Sequence, residues 1–257
     1  MILKEEMTVI SQRQLAPSIF EMVLSGQMVQ EMKAGQFLHI RIPDNSMLLR
    51  RPISICRIDK ELGQAVIVYR IEGKGTAVLA QLEAGSQLDC MGPQGNGFDL
   101  SGLKAGQRAL LIGGGIGVPP LFELAKALAE KNVQTEVIMG FATRDAVILE
   151  EEMRPYAKVS VTTDDGSYGQ AGTVSVLVDQ LTDAPDAVYA CGAPGMLRYI
   201  DRRFAQHPKA FLSLEARMAC GMGACYACVV HPKGADESSS QRVCEEGPVF
   251  AAGSLEL

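Results

Sequence analysis

Arg108-Ala109-Leu110-Leu111-Ile112-Gly113-Gly114-Gly115-Ile116-Gly117-Val118-Pro119-Pro120 is the point at which the pattern of the chain changes. The apolar run Ala109–Ile112 reads as a buried strand, and the glycines that follow allow a sharp turn. A helical stretch is predicted over 121–130. Further strands are predicted over 136–141, 158–162 and 187–190, with helical segments at 174–181 and 196–205. Strands alternating with helices are the signature of a parallel α/β sheet, placed at residues 101–210.

Upstream, residues 1–100 alternate polar and apolar residues over short runs. Phe37–Ile42 and Gln64–Ile71 read as strands, and turn signals separate the runs at 33–36, 43–45, 61–63 and 83–85. Short strands at this spacing predict an antiparallel sheet or small β-barrel. Downstream, residues 211–257 show little regular periodicity and hold a cluster of cysteines. The predicted architecture is therefore a β-barrel, an α/β domain and a small C-terminal domain.

The chain has 257 residues, 47% hydrophobic and 21% charged, which excludes a disordered polymer. Its formal net charge is −6, so it has no general attraction for phosphate backbones or anionic lipid, and no nucleic-acid or membrane partner is expected. No apolar run approaches the roughly 18 residues that span a bilayer. Met1-Ile2-Leu3-Lys4-Glu5-Glu6 lacks the basic and apolar regions of a signal peptide, so a cytoplasmic location is expected. In that reducing compartment the seven cysteines should not pair as structural disulfides.

Four cysteines follow the spacing Cys220-x4-Cys225-x2-Cys228-x15-Cys244. Three thiolates on one tight loop can converge on a point, and the fourth can arrive from a neighbouring segment. Gly221, Gly223, Ala224 and Ala227 let backbone N–H groups approach an inorganic centre and stabilise its negative charge. The spacing is that of plant-type [2Fe–2S] sites. Structural zinc and unligated thiols are the alternatives, although structural zinc usually draws two ligands from each of two knuckles. His231 reads as a surface histidine, and Cys56 and Cys90 as core thiols.

A second set of motifs lies upstream. In Arg50-Arg51-Pro52-Ile53-Ser54 an arginine can pair with a pyrophosphate, and the serine hydroxyl can reach a flavin N5. Gly75 and Thr76 can offer N–H groups and a hydroxyl to a phosphate at the start of a helix over 76–80. Arg50 and Arg51 read equally as a solvated pair, and Gly73-Lys74-Gly75-Thr76 as a plain turn. The loop Gly113-Gly114-Gly115-Ile116-Gly117 joins strand to helix but is not G-x-G-x-x-G. No acidic residue stands at Gly140-Phe141-Ala142-Thr143, where a dinucleotide ribose would want one. A dinucleotide site and a structural turn are equally compatible with it. Cys191-Gly192 ends the last strand, where a small residue would allow close approach of a ring.

Arg51-Pro52-Ile53-Ser54, Gly75-Thr76, the Gly113–Gly117 loop and Cys191-Gly192 stand in the order of the ferredoxin–NADP reductase superfamily, which the chain resembles over essentially its whole length. With the cysteine cluster and the segment Leu214–Cys225 added, it is similar to the electron-transfer subunits of class 1B dihydroorotate dehydrogenases. Ile53 stands where the superfamily often has an aromatic residue, and suits that branch. The resemblance implies FAD on Arg51, Pro52, Ile53, Ser54, Val68, Tyr69, Arg70, Gly75 and Thr76. It implies NAD as substrate at Gly113, Gly114, Gly115 and Gly117, with Cys191 and Gly192 in positioning roles. It also implies a [2Fe–2S] cluster on Cys220, Cys225, Cys228 and Cys244.

The family works with an FMN-containing catalytic subunit that oxidises dihydroorotate in pyrimidine biosynthesis, so a heterotetramer is expected. Electrons would run from that FMN through the cluster and FAD to NAD. No catalytic acid or base is expected in this chain. The cluster domain, with Met218 and Met222 as exposed apolar residues, is the expected docking face. The alternative is the flavin and iron–sulfur subunit of an NADH-dependent ferredoxin:NADP oxidoreductase or a sulfide dehydrogenase. A zinc-bound interaction module is the reading from outside redox chemistry.

Overall fold

The structure, a computed structural model, describes residues 2–236 and 238–257. The first third of the chain forms β1 (Leu3–Ala16), β2 (Ile19–Ser25), β3 (Phe37–Ile40), β4 (Arg51–Asp59), β5 (Gln64–Arg70) and β6 (Gln87–Gln94). Helix α1 (Lys74–Leu79) lies between β5 and β6. The strands close into an antiparallel barrel in the order β1-β2-β5-β4-β3-β6. Alternate side chains point inward, as a strand's two-residue period requires, so Met7 and Val9, Met22 and Leu24, and Leu38 and Ile40 share one interior. The long β1–β2 hairpin has no counterpart among the strands predicted individually. Its first residues, Lys4-Glu5-Glu6, carry charge on both faces and hide the alternation. β3 ends two residues before the predicted strand does, although the Arg41 N–H still bonds the Asp89 carbonyl of β6 at 2.9 Å.

The chain continues through β7 (Arg108–Gly114), α2 (Phe122–Glu130), β8 (Gln134–Phe141), α3 (Glu150–Met153), β9 (Lys158–Thr163), β10 (Gln170–Ala171), α4 (Ser175–Val178), β11 (Ala187–Cys191), α5 (Pro194–Phe204) and β12 (Ala210–Ser213). The tail holds β13 (Val229–Val230), its antiparallel partner β14 (Gln241–Arg242), and β15 (Val249–Ala251). A seven-stranded sheet runs β10-β9-β8-β7-β11-β12-β15, with only β15 antiparallel to its neighbour. Both faces are covered, as an apolar parallel strand demands. Ala109 and Leu111 of β7 pack with Phe122, Leu124 and Leu128 of α2. Leu110 and Ile112 pack with Leu197, Ile200 and Phe204 of α5 on the other face. Of the helix predicted over 174–181, only Ser175–Val178 is α-helical. The residue after residue 209 already enters β12, and β15 returns from the tail, so the sheet draws two strands from beyond the predicted break at 210.

The parts share their cores. Ile19, Cys56, Val68 and Phe98 on the outside of the barrel pack with Leu121 and Phe122. Phe37 of β3 packs with Leu214, Met218, Cys228, Cys244 and Phe250 of the tail. No helix among the described residues is long and apolar enough to cross a membrane.

Candidate functional site

The sheet order reverses at β7, which has β8 on one side and β11 on the other. In open parallel sheets such a reversal leaves a crevice at the carboxyl ends of the two strands. Those ends are Gly113-Gly114 and Cys191-Gly192, the segments singled out in the sequence, and Gly113 pairs directly with Cys191. Close packing explains the glycines. A Cβ on Gly117 would lie 2.2 Å from the Cys191 carbonyl oxygen, and one on Gly192 would lie 2.7 Å from the Met196 methyl and 3.1 Å from the Gly114 nitrogen. Gly115 differs, with φ +53° and open space above it. The loop does not run straight into α2. Short 3-10 turns at Gly115–Gly117 and Pro119–Leu121 intervene, and the two prolines supply no N–H donors.

Strands β4 and β5 of the barrel abut those turns, so the flavin motif and the glycine loop face one crevice. Within the motif, Arg50 and Arg51 part company. Arg50 is mostly buried and grips the Asp89 carboxylate with two bonds of 2.8 and 2.9 Å. The same side chain donates to the Asp89 and His39 carbonyls at 2.8 and 3.2 Å. It is a structural ion pair and not a solvated side chain. Arg51 instead lies against α1: a Cβ on Gly75 would sit 2.8 Å from its Nε, so two motifs distant in sequence meet. The Thr76 hydroxyl caps its own helix, accepting from the Glu72 N–H at 3.0 Å and donating to the Gly73 carbonyl at 3.2 Å. The backbone N–H groups of this first helical turn have no partners within the helix. Pro52, Ile53 and Ser54 are half-buried on β4.

Val68 faces the α/β domain, and the Tyr69 ring turns into the barrel, where its hydroxyl donates to Gln12 at 2.6 Å. Of the Val68–Arg70 side chains, only the Arg70 head is open to the crevice, paired with Glu72. Sequence reasoning assigned nothing to Glu215, which follows β12 closely. It keeps solvent contact yet is ringed by protein, with Arg70, Glu72 and Cys191 as its charged or titratable neighbours. Burial, then the Glu72 charge, raises its carboxyl above the usual range, opposed by Arg70. Burial, then Glu215, pushes the fully enclosed Cys191 thiol up to about 12, so it is not a nucleophile at neutral pH. An acidic residue just beyond a strand's carboxyl end was the available signal for Glu215.

The cysteine loop lies against β3 and β6 of the barrel, next to the β4 strand that carries the flavin motif. Gly221 (φ +68°), Gly223 (φ +77°) and Tyr226 (φ +55°) bend it through left-handed conformations. The three loop thiols expected to converge do not gather on one point with a further ligand among the described residues; the four sulfurs interact as two pairs. The Cys220 N–H points to Cys225 Sγ at 3.5 Å, and the two thiols interact. Cys228 and Cys244 form the other interacting pair, both buried. Further amides converge: Met222 N–H on Cys220 Sγ at 3.4 Å and Gly223 N–H on Cys244 Sγ at 3.2 Å. Burial pushes the Cys220 thiol up, but the Met222 amide, the Cys225 thiol and two further amides outweigh it and bring it below its ordinary value. Two pairs with amides aimed at sulfur suit a two-iron cluster, one pair to each iron.

Arg242 clamps the loop. It donates to the Gly223 carbonyl at 2.7 Å, lies 5.1 Å above the Tyr226 ring, and is held by Glu245 and Glu246. Met222 and Tyr226 are exposed, whereas Met218, expected outside, is buried in the core shared with Phe37. Cys56 and Cys90 are fully buried, and His231 is exposed.

Three family descriptions match the chain in order: an oxidoreductase FAD-binding domain over 6–98, an oxidoreductase NAD-binding domain over 111–202, and the iron–sulfur cluster binding domain of dihydroorotate dehydrogenase B over 215–256. The dihydroorotate dehydrogenase B (NAD(+)) electron transfer subunit of Streptococcus mutans is 65% identical over 257 residues, covering 100% of both chains. The chain belongs to that family. The electron transfer subunit of Geobacillus thermodenitrificans is 50% identical over 259 residues, again with 100% of both chains covered. Among solved structures, an NADH-dependent reduced ferredoxin-NADP oxidoreductase superposes with a TM-score of 0.86 at 27% identity, covering 98% of this chain and 90% of that one. A ferredoxin reductase of carbazole 1,9a-dioxygenase shares the fold, with a TM-score of 0.69 at 20% identity over 81% of this chain and 67% of that one. FAD, an iron–sulfur cluster and NAD are thus the cofactors of an oxidoreductase electron-transfer subunit, with a catalytic subunit as its partner.

Proposed function

We propose that the chain carries electrons from the FMN of a dihydroorotate-oxidising partner to NAD, with a [2Fe–2S] cluster and FAD as its own carriers. Bound FAD supplies the junction chemistry, a hydride on the nicotinamide side and single electrons on the cluster side. The observation that carries this reading is the placement of the two sites: β4 faces the glycine crevice while the cysteine loop lies against β3, its hydrogen-bonded neighbour.

The residues divide the work. Arg51 and the first-turn amides around Gly75 and Thr76 bind the FAD pyrophosphate, and Pro52, Ile53 and Ser54 line the ring. Val68, Tyr69 and Arg70 contribute backbone and the Arg70 head. Gly115, with open space above it, leaves backbone bare for the nicotinamide dinucleotide, and Gly113, Gly114, Gly117, Cys191 and Gly192 pack closely to shape the crevice that receives it. Cys220, Cys225, Cys228 and Cys244 hold the cluster, and Met222 and Tyr226 beside it form the docking face. The units are 1–100, 101–210 and 211–257, and the complex is a cytoplasmic heterotetramer. The ferredoxin–NADP reading is less favoured: identity is 27% to that structure against 65% to the dihydroorotate dehydrogenase subunit.

Cys225→Ser tests the division of roles. Its iron–sulfur absorbance and electron delivery from the partner should be lost, while NADH still reduces small dyes through FAD. Loss of dye reduction with FAD bound would refute separate roles. A complex mass other than two of each subunit would refute the stoichiometry.

A further inference from the structure

His39 is 0% and Gln94 1% exposed. Among the described residues, neither imidazole nitrogen of His39 and neither amide atom of Gln94 makes a well-formed hydrogen bond, and the His39 ring has only the backbone of Arg50 and Cys220 as loose polar neighbours. Native interiors hold few such atoms, and four of them here sit together. His39 is one strand-pairing from the flavin motif and Gln94 is two. His39 stands opposite Pro52, and Phe37 stands opposite both Gln94 and Ser54. The ceiling over them is the cysteine loop: a Cβ on Gly221 would lie 2.2 Å from His39 Nδ1 and 3.0 Å from Gln94 Oε1.

An iron–sulfur cluster answers this geometry. Its sulfurs accept N–H bonds, and such bonds set its potential and durability. A neutral imidazole offers one N–H and a carboxamide two. We propose that His39 and Gln94 are positioning residues of the cluster, presenting N–H donors from the flavin barrel across Gly221 and fixing the cysteine loop against the strands that carry the flavin. This rests on the assignment of the cluster to Cys220, Cys225, Cys228 and Cys244. Gly221 then serves contact as well as curvature, since any side chain there would displace the two donors.

The full-length protein, His39→Leu and His39→Gln are purified without air, assayed for iron and flavin, reduced with dithionite and examined by electron paramagnetic resonance. Cluster loss to a chelator is timed in parallel. Leucine keeps the volume and removes the donor; glutamine restores a donor. The leucine variant should show shifted g-values and lose its cluster about tenfold faster or more, while the glutamine variant stays near the parent. The proposal is overturned if the leucine variant matches the parent in spectrum and lifetime. It is equally overturned if the glutamine variant is as impaired as the leucine one, because shape and not hydrogen bonding would then be at stake. A parent protein with flavin but no iron would instead remove the cluster assignment, and the proposal with it.

Discussion

At Gly117 the turn after β7 rests on the end of β11, with room for a hydrogen and nothing more. Gly117→Ala forces a methyl group to 2.2 Å from the Cys191 carbonyl oxygen, and neither partner is a flexible side chain. Overpacking of this kind costs about 1–3 kcal/mol. The melting temperature should fall, and KM for NADH in dye reduction should rise, because the displaced loop is the one proposed to receive the nicotinamide dinucleotide; FAD content should be unchanged. Steady-state kinetics and flavin absorbance check all three. Individual residues were only partly legible in the sequence. Arg50 and Arg51 look alike on paper, yet one is locked on Asp89 and the other lies beside Gly75. Side chains alternate across a strand, so adjacent residues meet different surroundings. For the same reason Val68 and Tyr69 face a domain junction and a barrel interior. The orphaned pair His39 and Gln94 left no trace in any local pattern, since only the fold brings them under Gly221.

Among elements, the junction of α2 with β4 carries a pH-dependent contact. The Glu123 carboxylate accepts the Ile58 N–H at 2.8 Å and approaches Lys126 at 3.6 Å. Burial nevertheless raises its pKa, outweighing the amide and the lysine. The folded protein therefore holds this proton more tightly than the unfolded chain. Stability from this group is fully present below the ordinary glutamate range and is lost as pH rises through the raised value. Glu123→Gln keeps an oxygen for the Ile58 amide and cannot ionise. Its melting temperature should gain on the parent's as pH rises from about 4 toward neutrality, relative to the ordinary glutamate pKa. Parallel melts across that range test this, and a constant difference would contradict it. Elements with a strong period were readable: β7, β8, β9 and β11 lie where apolar runs place them, because strands buried on both faces have little choice of composition. The β1–β2 hairpin and the short strands β12 and β15 were not, since long-range pairing, and not local pattern, defines them.

At the scale of the molecule, the barrel and the tail are stapled by one side chain. Asn96 donates to the Glu246 and Val249 carbonyls at 2.9 and 2.8 Å and accepts the Val249 N–H at 3.1 Å. Asn96→Ala should cost about 1 kcal/mol, because water reaches the site and replaces part of what is lost. Hydrogen exchange at Val249 should speed up, and the cluster should bleach sooner in air. The three-part plan was legible from the change of period near residue 100 and from the cysteine spacing. The sharing of cores between the parts was not, because a burial pattern does not name its partner.

The cysteine segment leaves the central sheet at β12 and re-enters it at β15, so it is anchored at both ends to one rigid slab. It is not a tethered shuttle. Its redox centre cannot swing between a donor and an acceptor, and traffic between the two carriers must be tunnelling over a fixed gap, indifferent to solvent viscosity.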